Sequence, residues 1–172
     1  NEAVEHLQGI ADGFLVHNRD IVTRCDDSLL RVVDGQAYFL RRSRGYAPQP
    51  LFLQEDCTGV LACGAEQKAS FALSKGRAFF LSQHIGDLKN AETLSHYEGQ
   101  IEHFQRLFGI TPTRLVCDLH PDYFSTAYAQ ERCQREGLPL VQVQHHHAHM
   151  AACMADNRLD EPCIGVIWDG TG

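Results

Sequence analysis

The chain has 172 residues, a formal net charge of -7 and a sequence pI near 5.7. An acidic chain has no overall positive field for nucleic acid or for an anionic membrane, so we predict that it binds neither and that local side chains hold any phosphate. No apolar run approaches the roughly 20 residues of a membrane span, and no signal-peptide pattern opens the sequence.

The two ends of the sequence and its cysteines suggest a piece of a longer protein in a reducing compartment. Its first residue is not methionine and its last residues form a turn after an apolar run, so we interpret it as a piece of a longer protein that is inactive alone. The seven cysteines lack CxxC spacing, which favours buried free thiols in a reducing compartment. We therefore predict a cytoplasmic protein.

We interpret residues 1–53 as the end of one domain. Two apolar runs, 29–33 and 37–40, have the composition of β-strands, and Asp34-Gly35 between them is typical of a two-residue hairpin turn. The stretch 45–50, which contains Gly and Pro, then interrupts regular structure. The sequence predicts a hairpin and a linker, with a second domain from residue 54 onward.

The second domain begins with three strand candidates, at 60–63, 70–73 and 78–81. Residues 74–76 predict the hairpin turn between the last two. Apolar residues at helical spacing then predict a helix that is capped by Asn90 and ended by Gly109.

Alternating strands and helices complete the second domain. We predict a strand at 114–117, a helix from a Ser125 cap to about residue 135, a strand at 139–143, a helix from 145 to about 156, and a strand at 164–168. Three antiparallel strands before alternating helices and parallel strands give an α/β (α+β) class with the order βββαβαβ. By analogy, this is the order of the ribonuclease-H-like lobe of actin-like ATPases, in which ligands bind after the strands and at helix N-termini.

Four histidines stand where a strand runs into a helix, in Gln144-His145-His146-His147-Ala148-His149. His145 and His149 lie one helical turn apart and can reach the same ion, and neutral imidazole suits zinc or iron. Asp169, after the last predicted strand, is our candidate for a third ligand. The alternative is an exposed polar turn, which the flanking apolar residues disfavour.

Two glycine-containing loops have the composition of phosphate-binding turns. In the loop from 59 to 70, Gly64 permits close backbone approach and Lys68 can contact phosphate oxygens, although an ordinary strand turn has the same composition. The stretch Asp169-Gly170-Thr171-Gly172 fits a phosphate turn and a simple hairpin turn equally well.

The first domain has its own candidate anion site. Three arginines and a serine follow the second strand, and further donors lie in nearby loops. A solvated, charged edge strand is the alternative. The residues of this candidate site are His17, Asn18, Arg19, Arg24, Ser28, Arg41, Arg42, Ser43 and Arg44.

Taken together, these motifs closely resemble the HypF family, the carbamoyltransferases of [NiFe]-hydrogenase maturation. The matching stretches, in order, are ADGFLVHNRDI, RCDDS, LRRSRGYAP, GAEQKASFAL, SQHIGDL, CDLHPDYFST, VQHHHAHMAA and GVIWDGTG. The resemblance implies the C-terminal part of a YrdC-like domain over 1–53, followed by the first lobe of an actin-like Kae1-like domain over 54–172.

The resemblance also implies a two-stage reaction. The YrdC-like domain would make carbamoyl-adenylate from ATP and carbamoyl phosphate, and the Kae1-like domain would pass the carbamoyl group to the C-terminal cysteine of HypE, as a precursor of the cyanide ligand of the hydrogenase iron. By the same resemblance, Arg41, Ser43 and Arg44 would be catalytic in a pocket that is also lined by His17, Asn18, Arg19, Arg24 and Ser28.

At the second site, the resemblance implies that His145, His149 and Asp169 hold a divalent metal beside an ATP with its Mg²⁺. The loop residues that would face the phosphates are Gly64, Glu66, Lys68, Gly170, Thr171 and Gly172.

Two other functions fit parts of the sequence. A Kae1-type threonylcarbamoyl transferase acting on transfer RNA shares the HxxxH helix, although the acidic charge and the stretches HPDYFST and RRSRGYAP weigh against it. A non-catalytic metal-binding or docking module is the second alternative. Nucleotide binding separates these alternatives, because a docking module has no need of ATP.

Overall fold

The structure is a computed structural model and describes residues 2–170. Two β-sheets and four helices make up its regular elements in this range. In chain order the elements are α1 (Glu2–Leu7), β1 (Leu29–Val33), β2 (Gln36–Arg41), β3 (Pro50–Phe52), β4 (Val60–Cys63), β5 (Phe71–Lys75), β6 (Ala78–Leu81), α2 (Ala91–Phe108), β7 (Arg114–Asp118), α3 (Phe124–Glu136), β8 (Leu140–Val143) and α4 (His145–Asn157).

The first region, residues 2–49, contains the predicted hairpin. Strands β1 and β2 pair antiparallel and form a sheet of their own. Asp34 and Gly35 form the turn with φ angles of 50° and 75°, the left-handed geometry that matches the twist of a tight hairpin. Among the described residues of this region only Ser43 is buried, so the hairpin packs on little core of its own.

A six-stranded sheet organises the second region, residues 50–157, in the order β3-β6-β5-β4-β7-β8. Strands β4, β5 and β6 form an antiparallel meander, and β7 and β8 continue from β4 in parallel. The predicted change from antiparallel to parallel pairing is therefore confirmed. Pro50–Phe52, which the sequence assigned to the linker and the end of the first domain, forms the edge strand β3 on β6. A proline fits there because an edge strand leaves one row of N–H positions unpaired.

The helix predicted after Asn90 is confirmed with both of its ends. The Asn90 side chain accepts hydrogen bonds from the backbone N–H of Glu92 (2.9 Å) and of Thr93 (3.1 Å), so it caps α2. Gly109 ends the helix with a φ of 59°. The buried face of α2 packs its aromatic rings edge-to-face against Phe71 of the sheet.

Two predicted boundaries were wrong, each because a buried side chain outweighs the local pattern. The turn between β5 and β6 is Gly76-Arg77 and not residues 74–76, since Ser74 stays in the strand with its buried hydroxyl bonded to the Val60 N–H (2.8 Å). Ser125 does not cap α3 but lies inside it, fully buried. The first N–H of α3, that of Phe124, instead donates to the Glu66 carboxylate (2.6 Å).

The strand predicted at 164–168 is not formed. A strand needs a neighbour to satisfy its backbone groups, and none of the described strands pairs with this segment. Its apolar side chains are largely exposed, with Ile164 at 98% and Trp168 at 93%. The segment instead lies beside α4, with which it lines an apolar groove. None of the helices in the described range is long and apolar enough to cross a membrane.

Candidate metal centre at the carboxyl ends of β7 and β8

The candidate site lies where two neighbouring parallel strands end. Asp118 is the last residue of β7 and pairs in register with Val143, the last residue of β8. Helix α4 begins two residues later, and the Gln144 side chain caps it by accepting the His147 N–H (2.9 Å). Because this edge of the sheet is where ligands bind in parallel α/β folds, the abrupt change from strand to helix carries the histidines directly to it.

His145, His149 and Asp169 lie close together in the structure. One ligand atom from each residue lies within 4.8 Å of the others. Asp169 Oδ2 lies 3.5 Å from His145 Nε2 and 3.8 Å from His149 Nε2. Two imidazoles and one carboxylate form a donor set that suits zinc, or iron with open positions, so these residues fit a divalent metal.

A second aspartate, Asp118, contacts the histidine cluster from the sheet side, and the sequence analysis did not identify it. Its Oδ2 lies 2.6 Å from His145 Nδ1, and its side chain is 8% exposed. The signal was present, since an acidic residue ends a strand that is parallel to the one leading into the histidines. Recognising it required the register of β7 against β8, which the sequence does not give.

The environment of this site is negatively charged. His146 Nε2 also approaches Asp169 Oδ2, at 3.0 Å, although the angle is not that of a hydrogen bond. The pKa of Tyr123 is raised, first by desolvation and then by Asp118, with Glu66 and Asp169 adding to it. Three carboxylates therefore act on one phenol, and an environment of this sign favours a bound cation.

The loop after β4 lies at the same edge of the sheet. A side chain at position 64 would collide with the carbonyl oxygen of Ser70, so Gly64 is required by the turn itself. Glu66 is 2% exposed and binds the N-terminus of α3, whereas Lys68 is exposed. Of the last predicted loop, Gly170 is described, and Thr171 and Gly172 lie outside the described residues.

In the first region, Ser28, Ser43 and Arg44 are joined by backbone contacts. The Ser28 hydroxyl accepts the Ser43 N–H and donates to the Arg44 carbonyl, both at 2.9 Å. Arg44 donates to the Cys25 carbonyl (2.7 Å), and Arg42 donates in the same way to two carbonyls of the following turn. These two arginines therefore hold loops together in this structure.

The remaining predicted residues of the first region are more dispersed. His17, Asn18 and Arg19 are exposed, and the His17 ring accepts the Arg19 N–H (3.1 Å). Arg24 lines a cleft between this region and α2. Arg41 is exposed, at the end of β2.

Arg41 and Lys68 both affect the pKa of His84. The pKa of His84 is lowered, first by desolvation, then by the charge of Arg41, with Lys68 adding to it. Arg41 belongs to the first candidate site and Lys68 to the loop of the second, and both act electrostatically on one histidine.

Comparison with known proteins identifies the family. The profile of the HypF Kae1-like domain matches residues 55–156. The chain belongs to the HypF family. This confirms the family predicted from the sequence motifs.

Curated relatives match the chain over nearly its whole length. The chain is 46% identical to carbamoyltransferase HypF of Synechocystis sp. over 99% of its own length and 22% of that protein. It is 46% identical to carbamoyltransferase HypF2 of Cupriavidus necator over 100% of its length and 22% of the relative. For the probable carbamoyltransferase HypF of Methanocaldococcus jannaschii the identity is 38%, over 100% of the chain and 23% of the relative. The chain thus spans less than a quarter of each of these proteins.

Two solved structures match the fold. A full-length HypF in a phosphate- and nucleotide-bound form superposes with a TM-score of 0.91 at 46% identity, covering 99% of this chain and 27% of that one. HypF of T. kodakarensis superposes with a TM-score of 0.84 at 39% identity, covering 92% of this chain and 21% of that one. The predicted mixed α/β class is confirmed.

Proposed function

We propose that the chain is part of a carbamoyltransferase of [NiFe]-hydrogenase maturation, in which residues 1–53 belong to a YrdC-like domain and residues 54–172 to a Kae1-like domain. The observation that carries the proposal is the convergence of His145, His149 and Asp169 at the carboxyl edge of the sheet, in a chain of the HypF family. The identity to carbamoyltransferases extends through both regions.

The imidazoles of His145 and His149 and the carboxylate of Asp169 would hold a zinc or iron ion. A metal held there would supply positive charge to neutralise phosphate and to orient the carbamoyl donor. Asp118 contacts the His145 ring, and α4 places His145 and His149 one turn apart before any ligand arrives, which reduces the cost of organising the site.

In the first stage, ATP and carbamoyl phosphate would be converted to carbamoyl-adenylate in the first region: carbamoyl phosphate loses its phosphate to water, and the resulting carbamate attacks the α-phosphorus of ATP and displaces pyrophosphate. Arginine guanidinium groups suit this task because they bind phosphate through two parallel hydrogen bonds. The hydrogen bonds of Ser28, Ser43 and Arg44 fix the two segments that carry Arg24 and Arg41. A mixed anhydride is labile in water, so an arginine-lined pocket near the second site would limit its hydrolysis.

In the second stage, the acceptor would be a C-terminal cysteine of a HypE-like protein. Its thiolate attacks the carbonyl carbon of the carbamoyl group, and AMP leaves. The loops with Gly64, Lys68 and Gly170 would lie toward the phosphates of an ATP with its Mg²⁺. A related HypF has been solved in a phosphate- and nucleotide-bound form, which supports nucleotide binding. All seven cysteines of the chain are free thiols, which supports action in the reducing cytoplasm.

The experiment that tests this function measures ATP conversion to AMP by the full-length protein. We expect AMP formation to depend on carbamoyl phosphate, and the carbamoyl group to appear on a peptide that ends in a HypE-type cysteine. A matched peptide ending in serine is the control. AMP formation that is independent of carbamoyl phosphate contradicts the proposal and favours a transfer RNA enzyme, and an absence of nucleotide turnover favours a docking module.

A further inference from the structure

Asp118 holds both of its carboxylate oxygens on defined partners. Oδ2 lies 2.6 Å from His145 Nδ1, and Oδ1 accepts the backbone N–H of His120 at 2.9 Å. The backbone carbonyl of Asp118 in turn accepts the Thr126 hydroxyl (3.2 Å), which fixes the end of β7 to α3. The carboxylate is therefore anchored on the sheet and cannot rotate without losing one of these contacts.

The two nitrogens of His145 face different groups. Nδ1 faces Asp118, and Nε2 faces Asp169 at 3.5 Å, on the side where His149 also lies. An ionised carboxylate only accepts hydrogen bonds, so the short contact requires a proton on Nδ1. A neutral ring protonated at Nδ1 has its lone pair on Nε2, which is the atom that points into the candidate centre.

We propose that Asp118 is a positioning residue that fixes the tautomer and the ring orientation of His145, so that the Nε2 lone pair is presented to the metal. This inference rests on the proposed metal site. Carboxylates that bind the far nitrogen of a histidine ligand do this in metal sites generally, and their loss weakens metal binding without removing a ligand.

Substitution of Asp118 by asparagine tests this positioning role because Asp118 also accepts the His120 N–H. The asparagine side chain of this variant has one oxygen and one NH₂ group in place of two equivalent oxygens. If its oxygen keeps the His120 N–H, its NH₂ group faces His145 Nδ1 and favours the tautomer with the proton on Nε2, where it blocks the metal. Turning the amide round would restore the His145 contact only by giving up the His120 contact.

The experiment compares Asp118→Asn with Asp122→Asn in the full-length protein. Asp122 is an exposed carboxylate in the same loop, so its substitution removes the same charge nearby without touching His145. Zn²⁺ affinity is measured by competition with a chelator, and His145→Ala marks the loss when the ligand itself is removed. Selective ¹⁵N labelling of histidine then reports, in the metal-free protein, which nitrogen of the neutral His145 ring carries the proton.

We expect Asp118→Asn to weaken Zn²⁺ binding about ten- to a hundred-fold, with the His145 proton moved from Nδ1 to Nε2. Asp122→Asn should stay within about twofold of the unmodified protein because its exposed charge is screened. Equal Zn²⁺ affinities for the two variants, or an unchanged His145 tautomer in Asp118→Asn, would overturn the inference.

The two readouts separate this inference from the proposed metal site. If the unmodified protein binds no Zn²⁺, the metal site itself is contradicted, and the tautomer measurement still decides whether Asp118 orients His145. If Asp118→Asn is less stable, its tautomer is recorded below its melting temperature, where the prediction is unchanged.

Discussion

The two regions of the molecule use their polar side chains in different ways. In the first region, Arg42 and Arg44 are close in sequence and donate to backbone carbonyls of neighbouring loops. In the second region and the segment that follows it, Asp118, His145 and Asp169 are far apart in sequence, and their side chains meet at one edge of a sheet. A local cluster of like charges can thus serve the architecture, whereas a site assembled from distant segments depends on the sheet that aligns them.

The regions also differ in their cores. The described core residues all belong to the second region, where Phe71, Tyr97 and Phe104 pack edge-to-face. In the first region Leu15 is fully exposed and Val32 is 70% exposed. The rigid support of the candidate metal centre therefore comes from the sheet, and the stability of the chain should depend on this region far more than on the hairpin.

The largest predicted effect tests that difference directly. Leu61→Ala removes a side chain with 0% exposure at the centre of the sheet and should lower the free energy of unfolding by about 2–5 kcal/mol. Leu40→Ala, the same change at a residue that is 55% exposed in the hairpin, should cost less than about 0.5 kcal/mol. Urea unfolding of the chain measures both. Equal losses would show that the hairpin shares the core after all.

A smaller effect is expected at Glu66, whose role differs between the sequence and the structure. The resemblance placed it toward a phosphate, whereas here it is buried and accepts the Phe124 N–H. Glu66→Ala should destabilise the chain by about 1–3 kcal/mol, because the first N–H of α3, that of Phe124, loses its partner. Glu66→Gln keeps an acceptor and should cost less.

Gln67→Ala, at an exposed neighbouring position, is the control for Glu66. Thermal unfolding and ATP binding are measured together. A Glu66→Ala chain of unchanged stability that no longer binds ATP would favour the direct phosphate contact.

Most of the fold was predictable, because several local signals agreed on each element. Asn90, the apolar stripe and Gly109 all indicate α2, and Asp34-Gly35 indicates the first hairpin. The predicted Ser125 cap was wrong, although a serine before an apolar helical pattern is typical of a cap. Only the folded chain shows that Glu66 accepts the first N–H of α3 instead. The run at 164–168 has strand composition, but composition does not supply a pairing partner.

The candidate site was predictable only in part. The HxxxH spacing indicates His145 and His149 because both lie on one helical turn. Asp169 was a candidate because it follows a predicted strand at 164–168, and the structure does not form that strand. Asp118 required knowledge of strand register. For the arginine cluster, sequence gives charge and proximity but not the acceptors, so it could not show that Arg44 binds the carbonyl of Cys25.

The smallest effect concerns two histidines where the regions meet. The pKa of His84 is lowered first by burial and then by Arg41, with Lys68 adding to the shift. The pKa of His96 is lowered first by burial and then by Arg24. Asp26 opposes the shift at both rings. In the unfolded chain these rings have the ordinary pKa of 6.5, so they take up protons there first. Their stabilising contribution is full above pH 6.5 and is lost as the pH falls from 6.5 through their lower folded pKa values.

Replacing both rings by glutamine should flatten the loss of thermal stability below pH 6.5. His147→Gln, at an exposed position on α4, is the matched control and should leave the slope unchanged. Melting temperatures between neutral and mildly acidic pH provide the measurement. A double variant with the slope of the unmodified chain would mean that other groups govern the acid response.

The central claim is that the two regions carry separate chemical stages, and one assay on His149→Ala in the full-length protein tests it most directly. Pyrophosphate release from ATP in the presence of carbamoyl phosphate, which accompanies carbamoyl-adenylate formation, is recorded together with carbamoyl transfer to the HypE-type cysteine peptide, with His147→Ala as control. We predict that transfer falls to background while carbamoyl-phosphate-dependent pyrophosphate release persists. Loss of both activities together in His149→Ala, with His147→Ala unaffected, would contradict this division.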